Sequence, residues 1–183
     1  MKKSLNTKMN KERLQEYPLH ESQRGYFGYE LYKAMEKDER IWLVVVDLGY
    51  KMFDRHFLDF PDRCINTGAA EQAAVGIAVG LALQGKVPFV YSITTFAIFR
   101  PYEWIRNYMA IEQVPVKIVG SGRDMEYEKD GLTHWSSDAP AIMSNWTGKI
   151  VQFWPKTKEA MADVVKQTIE NNKPTFISLS RKI

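Results

Sequence analysis

The chain has 183 residues and a mass of 21.2 kDa, with 45% hydrophobic and 26% charged residues, which is the size and composition of one globular domain and excludes a disordered or fibrous chain. Its single cysteine, Cys64, excludes an internal disulfide framework and fits a reducing compartment. The net charge of +3 is spread through alternating basic and acidic residues, so no block of like charge marks a nucleic-acid or membrane surface.

Residues 1–20 are polar and charged, with Pro18 near their end, and read as an N-terminal arm. No apolar stretch follows Lys2 and Lys3, as a signal peptide would require. The small-and-apolar run from Ala73 to Leu83 is about half of the roughly 20 residues that span a bilayer. The expectation is a cytoplasmic protein with one domain over residues 21–183.

From there helix-like and strand-like segments alternate. Ser22 can cap a helix running to about Asp38. The apolar run Ile41–Val46 suits a strand buried on both faces. A short helix over Met52–Phe60 leads to a brief strand at Cys64–Asn66, then to a helix over Glu71–Leu83 stopped by Gly85. Val87–Ile93 reads as a strand, Pro101–Ile111 as a helix and Val116–Val119 as a strand. A loop rich in glycine and charge runs from Gly120 to His134. Ile150–Phe153 is expected as a strand, Thr157–Asn171 as an amphipathic helix capped by Thr157, and Thr175–Leu179 as the last strand. Strands separated by helices predict an α/β fold with a doubly wound, mainly parallel sheet and helices on both faces. Ligands gather at the C-terminal ends of such strands, where Asp47, the segment from Asn66 to Gln72 and the loop leading to His134 fall.

Glu71 opens a helix that otherwise buries small and apolar residues. Such an acid is either a first-turn residue favoured by the helix dipole or a carboxyl group held in an apolar interface. Gly76 and Gly80, four apart with Ala73, Ala74 and Ala78, would let another backbone approach closely. Phe96, Phe99 and Tyr102 recur every three residues after a strand end and read either as core or as an aromatic pocket for a flat ring. His134 lies in a polar loop, where it is either solvated or a proton donor and acceptor near neutral pH. There is no Walker-type phosphate loop, dinucleotide fingerprint or nucleophile elbow. His20, His56 and His134 are too widely spaced to suggest a metal site.

The run Arg63-Cys64-Ile65-Asn66-Thr67-Gly68-Ala69-Ala70-Glu71-Gln72, with Val75 to Gly85 behind it, resembles the transketolase pyrimidine-binding domain. Thr95 to Tyr102, Asp130-Gly131-Leu132-Thr133-His134 and Leu179-Ser180-Arg181 follow in the family's order, so the resemblance covers about residues 22–183. It implies thiamine diphosphate as cofactor. Glu71 matches the glutamate that hydrogen-bonds N1′ of the cofactor's aminopyrimidine and so activates it. Phe96, Phe99 and Tyr102 match the aromatic pocket around that ring, and Asp47 and Leu48 match an Asp-Leu pair near the cofactor. Asp130 and His134 match residues that contact the sugar hydroxyls and the reacting oxygen. Arg24 and Arg181 match two arginines that hold the substrate phosphate.

Three positions depart from the family pattern. Lys51 stands where it usually has a serine, Gly122 (next to Arg123) where it has a histidine, and Trp135 where it has a glutamine. The family's Gly-Asp-Gly…Asn motif, which holds Mg²⁺ and the diphosphate, has no counterpart, and Asn171-Asn172 reads as a helix stop. The resemblance therefore implies one subunit of a split transketolase-like enzyme, catalysing ketol transfer between sugar phosphates. A partner chain would carry the diphosphate and Mg²⁺ site, in a homo- and hetero-oligomer. The alternatives are a non-catalytic interaction module that keeps the fold, or a subunit of another thiamine-diphosphate enzyme, such as a decarboxylase or one like deoxyxylulose-phosphate synthase.

Overall fold

A computed structural model of the chain describes residues 19–181, so most of the N-terminal arm lies outside the described residues. Among the described residues six strands form one all-parallel sheet: β1 (Ile41–Val45), β2 (Cys64–Asn66), β3 (Val87–Ile93), β4 (Lys117–Ser121), β5 (Val151–Phe153) and β6 (Thr175–Leu179). Their spatial order is β2-β1-β3-β4-β6-β5, so the chain winds outward in both directions from β1 and β3, as predicted for a doubly wound sheet.

Period-two alternation splits the strand side chains between two cores. Val44, Val90, Ile118 and Phe176 point to one face, where α3 (Glu71–Leu83) supplies Ala74, Val75, Ala78 and Val79. Leu43, Phe89, Tyr91 and Ile177 point to the other, against Phe27, Leu31 and Met35 of α1 (Gln23–Met35) and Met161, Val164 and Val165 of α7 (Met161–Glu170). The small residues of α3 let it lie close to the sheet on a face that also holds Ile98, Ile105 and Met109.

Caps explain several boundaries. Ser22 Oγ accepts from Gly25 N at 3.2 Å and starts α1 where expected. Gly85, at φ +75°, ends α3 where only a residue tolerant of the left-handed region fits well. A short α2 (Asp54–Asp59) occupies the middle of the expected segment.

Other boundaries differ. The last helix begins at Met161 with Ala160 at its cap, not at Thr157, because residues 157–160 form a turn in which Met161 N bonds Lys158 O and the Lys158 ammonium pairs with Glu21. The segment after β3, to which the sequence pattern assigned no element, is helical as α4 (Thr94–Phe99), its first turn fastened by Thr94 Oγ1 donating to Gly122 O at 2.6 Å. The helix expected over Pro101–Ile111 starts as α5 (Tyr102–Trp104) and widens to a π-helix over Ile105–Ile111. Gln113 Nε2 closes that end by donating to Met109 O, Ala110 O and Lys149 O. A further short helix, α6 (Ala139–Ser144), starts with Pro140 in its first turn. Among the described residues no helix is long and apolar enough to cross a membrane.

Candidate active site

The C-terminal ends of the strands carry the chemistry-bearing side chains, and Glu71 lies deepest. It begins α3 directly after the β2–α3 turn, is only 5% exposed, and its Oε1 accepts from Arg100 Nη1 at 2.6 Å. Both features expected from sequence meet in Glu71, which is a first-turn acid of α3 and is buried, and its partner is a guanidinium that sequence reasoning did not single out. Asn66 builds the turn beside it: its Oδ1 accepts from Asp47 N at 3.2 Å and from Gly68 N at 3.0 Å. This pair of bonds ties the end of β1 to the start of α3 and places Asp47 there, at φ +51°. Asp47 and Leu48 line a hollow with Gly49, Tyr50 and Asn66.

Phe96 and His134, 38 positions apart, meet edge to face with ring centres 4.9 Å apart. The contact forms because Phe96 rides on α4, and Thr95 Oγ1 of the same turn donates to Trp135 O, pulling the His134 loop against the helix. Thr133 Oγ1 lies 3.0 Å from His134 Nδ1. The three aromatics have different neighbours. Phe96 also carries the Arg100 guanidinium on its face, Tyr102 packs on Trp146 at 5.7 Å, and Phe99 is 37% exposed.

The cationic end lies across the strand ends. Arg24 lines a cavity of about 310 Å³ with His20, Lys51, Tyr91 and Tyr127. Its Nε is buried and without a hydrogen-bond partner among the described residues. Burial pushes the Tyr91 phenol up, opposed by the neighbouring Arg24 charge. Arg24 also faces a second, wider cleft with Asp130 and Arg181, so these three predicted residues share one space. Arg181 is stacked 3.9 Å from the Tyr127 ring centre and donates to Glu126 O at 3.1 Å.

Tyr127 and Glu126 are further site residues missed from sequence. Gly122, at φ +86°, leaves the space that the Tyr127 ring fills, and a Cβ at that position would run into the ring. Tyr127 Oη lies 3.0 Å from Ser121 Oγ. The Glu126 carboxylate accepts from Arg123 N at 3.0 Å, Arg181 N at 2.7 Å and Ser180 Oγ at 2.5 Å, binding the β4 and β6 loops together. The signal for Tyr127 was only an aromatic residue within a loop of glycine and charge. Among the described residues no three His, Cys, Asp or Glu side chains gather to hold a metal ion.

Residues 22–183 match the family model for the transketolase pyrimidine-binding domain. The chain belongs to that family. It is 33% identical over 153 residues, 83% of its own length and 47% of the other protein's, to the 6-deoxy-6-sulfo-D-fructose transketolase subunit SqwH of Clostridium sp. (strain MSTE9). It is also 33% identical over 124 residues (68% of this chain and 40% of the other) to an apulose-4-phosphate transketolase subunit of Actinobacillus succinogenes. Among solved structures it superimposes on a split-gene transketolase, described as an inactive β4 tetramer, with a TM-score of 0.75 and 28% identity over 88% of this chain and 52% of that one. This transketolase-family chain thus spans about half the length of the curated relatives it matches.

Proposed function

We propose that this chain is the pyrimidine-binding subunit of a split, thiamine-diphosphate-dependent transketolase that transfers a two-carbon ketol unit between sugar phosphates. The observation that carries the reading is Glu71. A carboxylate at the start of α3 is buried at the position that the family resemblance matches to the cofactor-activating glutamate, and Arg100 bridges it to Phe96.

The donor set suits the aminopyrimidine. A flat group with N–H donors can satisfy the Glu71 carboxylate while lying on the Phe96 face, and the Arg100 guanidinium makes both of those contacts here. When bound, thiamine diphosphate supplies a carbon that carries the ketol unit between sugars. In this reading Glu71 holds a proton at N1′ of the ring, Phe96 orients the ring and excludes water, and Asp47 and Leu48 close the side beneath β1. The family resemblance also assigns Phe99 and Tyr102 to the ring's surroundings, Phe99 from an exposed position and Tyr102 from its packing on Trp146. His134 and Asp130 take the sugar hydroxyls, with His134 moving the proton at the reacting oxygen. Arg24 and Arg181 clamp the anionic end of the sugar, a task suited to the guanidinium fork, and the unpaired Arg24 Nε is ready for an anion.

Mg²⁺ and the diphosphate are assigned to a partner subunit. The outward side of α3 presents Ala73, Ile77, Gly80 and Leu83, with Ile77 and Leu83 exposed, and offers an apolar, closely approachable face for that partner.

The test is exchange of the cofactor's C2 proton, followed by NMR in the assembled complex of this chain, a diphosphate-binding partner, Mg²⁺ and thiamine diphosphate. Glu71→Gln should slow exchange by about 100-fold or more. Exchange indifferent to that change would leave a non-catalytic interaction module. Donor specificity follows from the same mixture by comparing a ketose phosphate with its sulfonate analogue, since relatives are named for both kinds of anion.

A further inference from the structure

Arg100 touches the two side chains that would hold the aminopyrimidine. Its Nη1 lies 2.6 Å from Glu71 Oε1, and its guanidinium carbon sits 3.7 Å from the centre of the Phe96 ring. A guanidinium is flat, weakly hydrated and rich in N–H donors, so it can stack on an aromatic face and pair with a carboxylate at once. An aminopyrimidine that carries a proton at N1′ makes the same demands on a site.

Resting on the reading of Glu71 and Phe96 given above, we propose that Arg100 is a resident occupant of the pyrimidine site. It holds Glu71 and covers Phe96 in the free chain, and it yields both contacts to the incoming ring.

Two features fit a displaceable occupant. The Glu71 side chain is 6% exposed, and without a partner its buried charge would be costly, so the free chain needs a counter-ion there. The Arg100 side chain is 47% exposed, so once displaced it returns to water at little cost. Its backbone stays in place during that exchange. Gln72 Nε2 donates to Arg100 O at 3.2 Å and buried Pro101 follows, which confines the movement to the side chain. Arg100 is therefore a positioning residue. It keeps the Glu71 carboxylate aimed and the ring face covered, and it sets a competition that the cofactor must win.

The test uses the full chain and 4-amino-5-hydroxymethyl-2-methylpyrimidine, the free pyrimidine half of the cofactor, titrated by calorimetry and by ¹⁵N NMR at arginine Nε. Arg100→Ala should bind the pyrimidine about tenfold more tightly than the unaltered chain, the combined worth of an exposed ion pair and a cation–π contact, with Arg100→Lys in between. In the unaltered chain, saturating pyrimidine should move the Arg100 Nε–H signal to the position and fast solvent exchange of a free arginine. Equal or weaker binding by Arg100→Ala, or no binding by either chain, overturns the proposal. So does an Arg100 signal that stays put on saturation. The underlying site reading fails separately: it falls if Glu71→Gln and Phe96→Ala leave the affinity of the Arg100→Ala chain unchanged.

Discussion

Cations stand at both ends of this sheet, and the two ends use them differently. At the N-terminal end, Arg63 spends its guanidinium on three backbone carbonyls, Asp38 O at 3.0 Å, Ile41 O at 3.3 Å and Met35 O at 2.9 Å. Lys117, buried at the start of β4, gives its ammonium to Asn171 Oδ1 at 2.9 Å and Lys173 O at 2.6 Å. Both close the ends of helices that return to the sheet, where orphan carbonyls collect. At the C-terminal end Arg123 is likewise spent, on Ser178 Oγ and Ser178 O, but three other cations are only partly committed. Arg24 has a buried Nε without a partner among the described residues, Arg100 lies half-exposed across Glu71, and Arg181 rests on the Tyr127 ring. Left-handed backbone occurs at both ends, in Asp47 at φ +51°, Lys51 at +65° and Asp124 at +46° on this side and in Gln113 at +59° and Asn172 at +41° on the other. A charge that gives several bonds to carbonyl, amide and hydroxyl oxygens holds the fold, whereas one with a single such bond, a single carboxylate partner or an unpartnered N–H is available to a ligand.

That contrast can be broken by substitution. Arg63→Ala should destabilise the chain by about 2–3 kcal/mol, because it strands carbonyls of the α1 end and the turn into β1. Arg100→Ala should cost less, about 1–2 kcal/mol in the same urea denaturation, because the half-exposed guanidinium is cheaply lost but buried Glu71 loses its counter-ion. Equal losses would erase the distinction.

The next effect is a pH dependence. Burial pulls the Lys117 ammonium down from 10.5 to about 8. Below that value the lysine is charged in both states and the folded chain carries the full cost of burying it. Between about pH 8 and 10.5 the unfolded chain binds the proton that the folded one has released, so stability rises with pH through that window. The rise should be about 1–3 kcal/mol, the two hydrogen bonds to the ammonium keeping it modest. Lys117→Met should abolish it, and a stability curve that stays flat in the unaltered chain would contradict the assignment.

The sheet was legible because five of its six strands read as apolar runs or alternations between breakers, and α3 because its small-residue run stops at Gly85. What escaped was set by tertiary partners. Thr157 looks like a helix cap, but the Lys158–Glu21 pair and the turn into Met161 delay the helix by a full turn. The site shows the same division. Residues whose chemistry is conspicuous, such as Glu71 and His134, could be singled out from sequence, and contact between the Phe96 and His134 rings followed once α4 brought the loop in. Arg100 could not, because nothing in the stretch Phe99-Arg100-Pro101 says that its guanidinium reaches back 29 positions to a carboxylate. Tyr127 acquires its place only through the side chain that Gly122 lacks.

The smallest effect bears on how α3 divides its two glycines. Their spacing suggested a face built for another backbone, yet within this chain Gly76 faces the Trp104 ring, where a Cβ would stand 3.2 Å from the nearest ring carbon. Gly80 has nothing within 4 Å of such a Cβ. In the isolated chain Gly80→Ala should therefore raise stability by about 0.5–1 kcal/mol, since the helix gains a better former at no steric cost. Gly76→Ala should gain less or lose, because Trp104 must give way. If α3 meets a partner subunit as proposed, Gly80→Leu should leave the isolated chain folded while weakening assembly, seen as earlier dissociation on dilution in analytical ultracentrifugation. A Gly80→Leu chain that assembles as well as the original would place the partner on another face, and the space beside Gly80 would then be solvent in the assembled enzyme too.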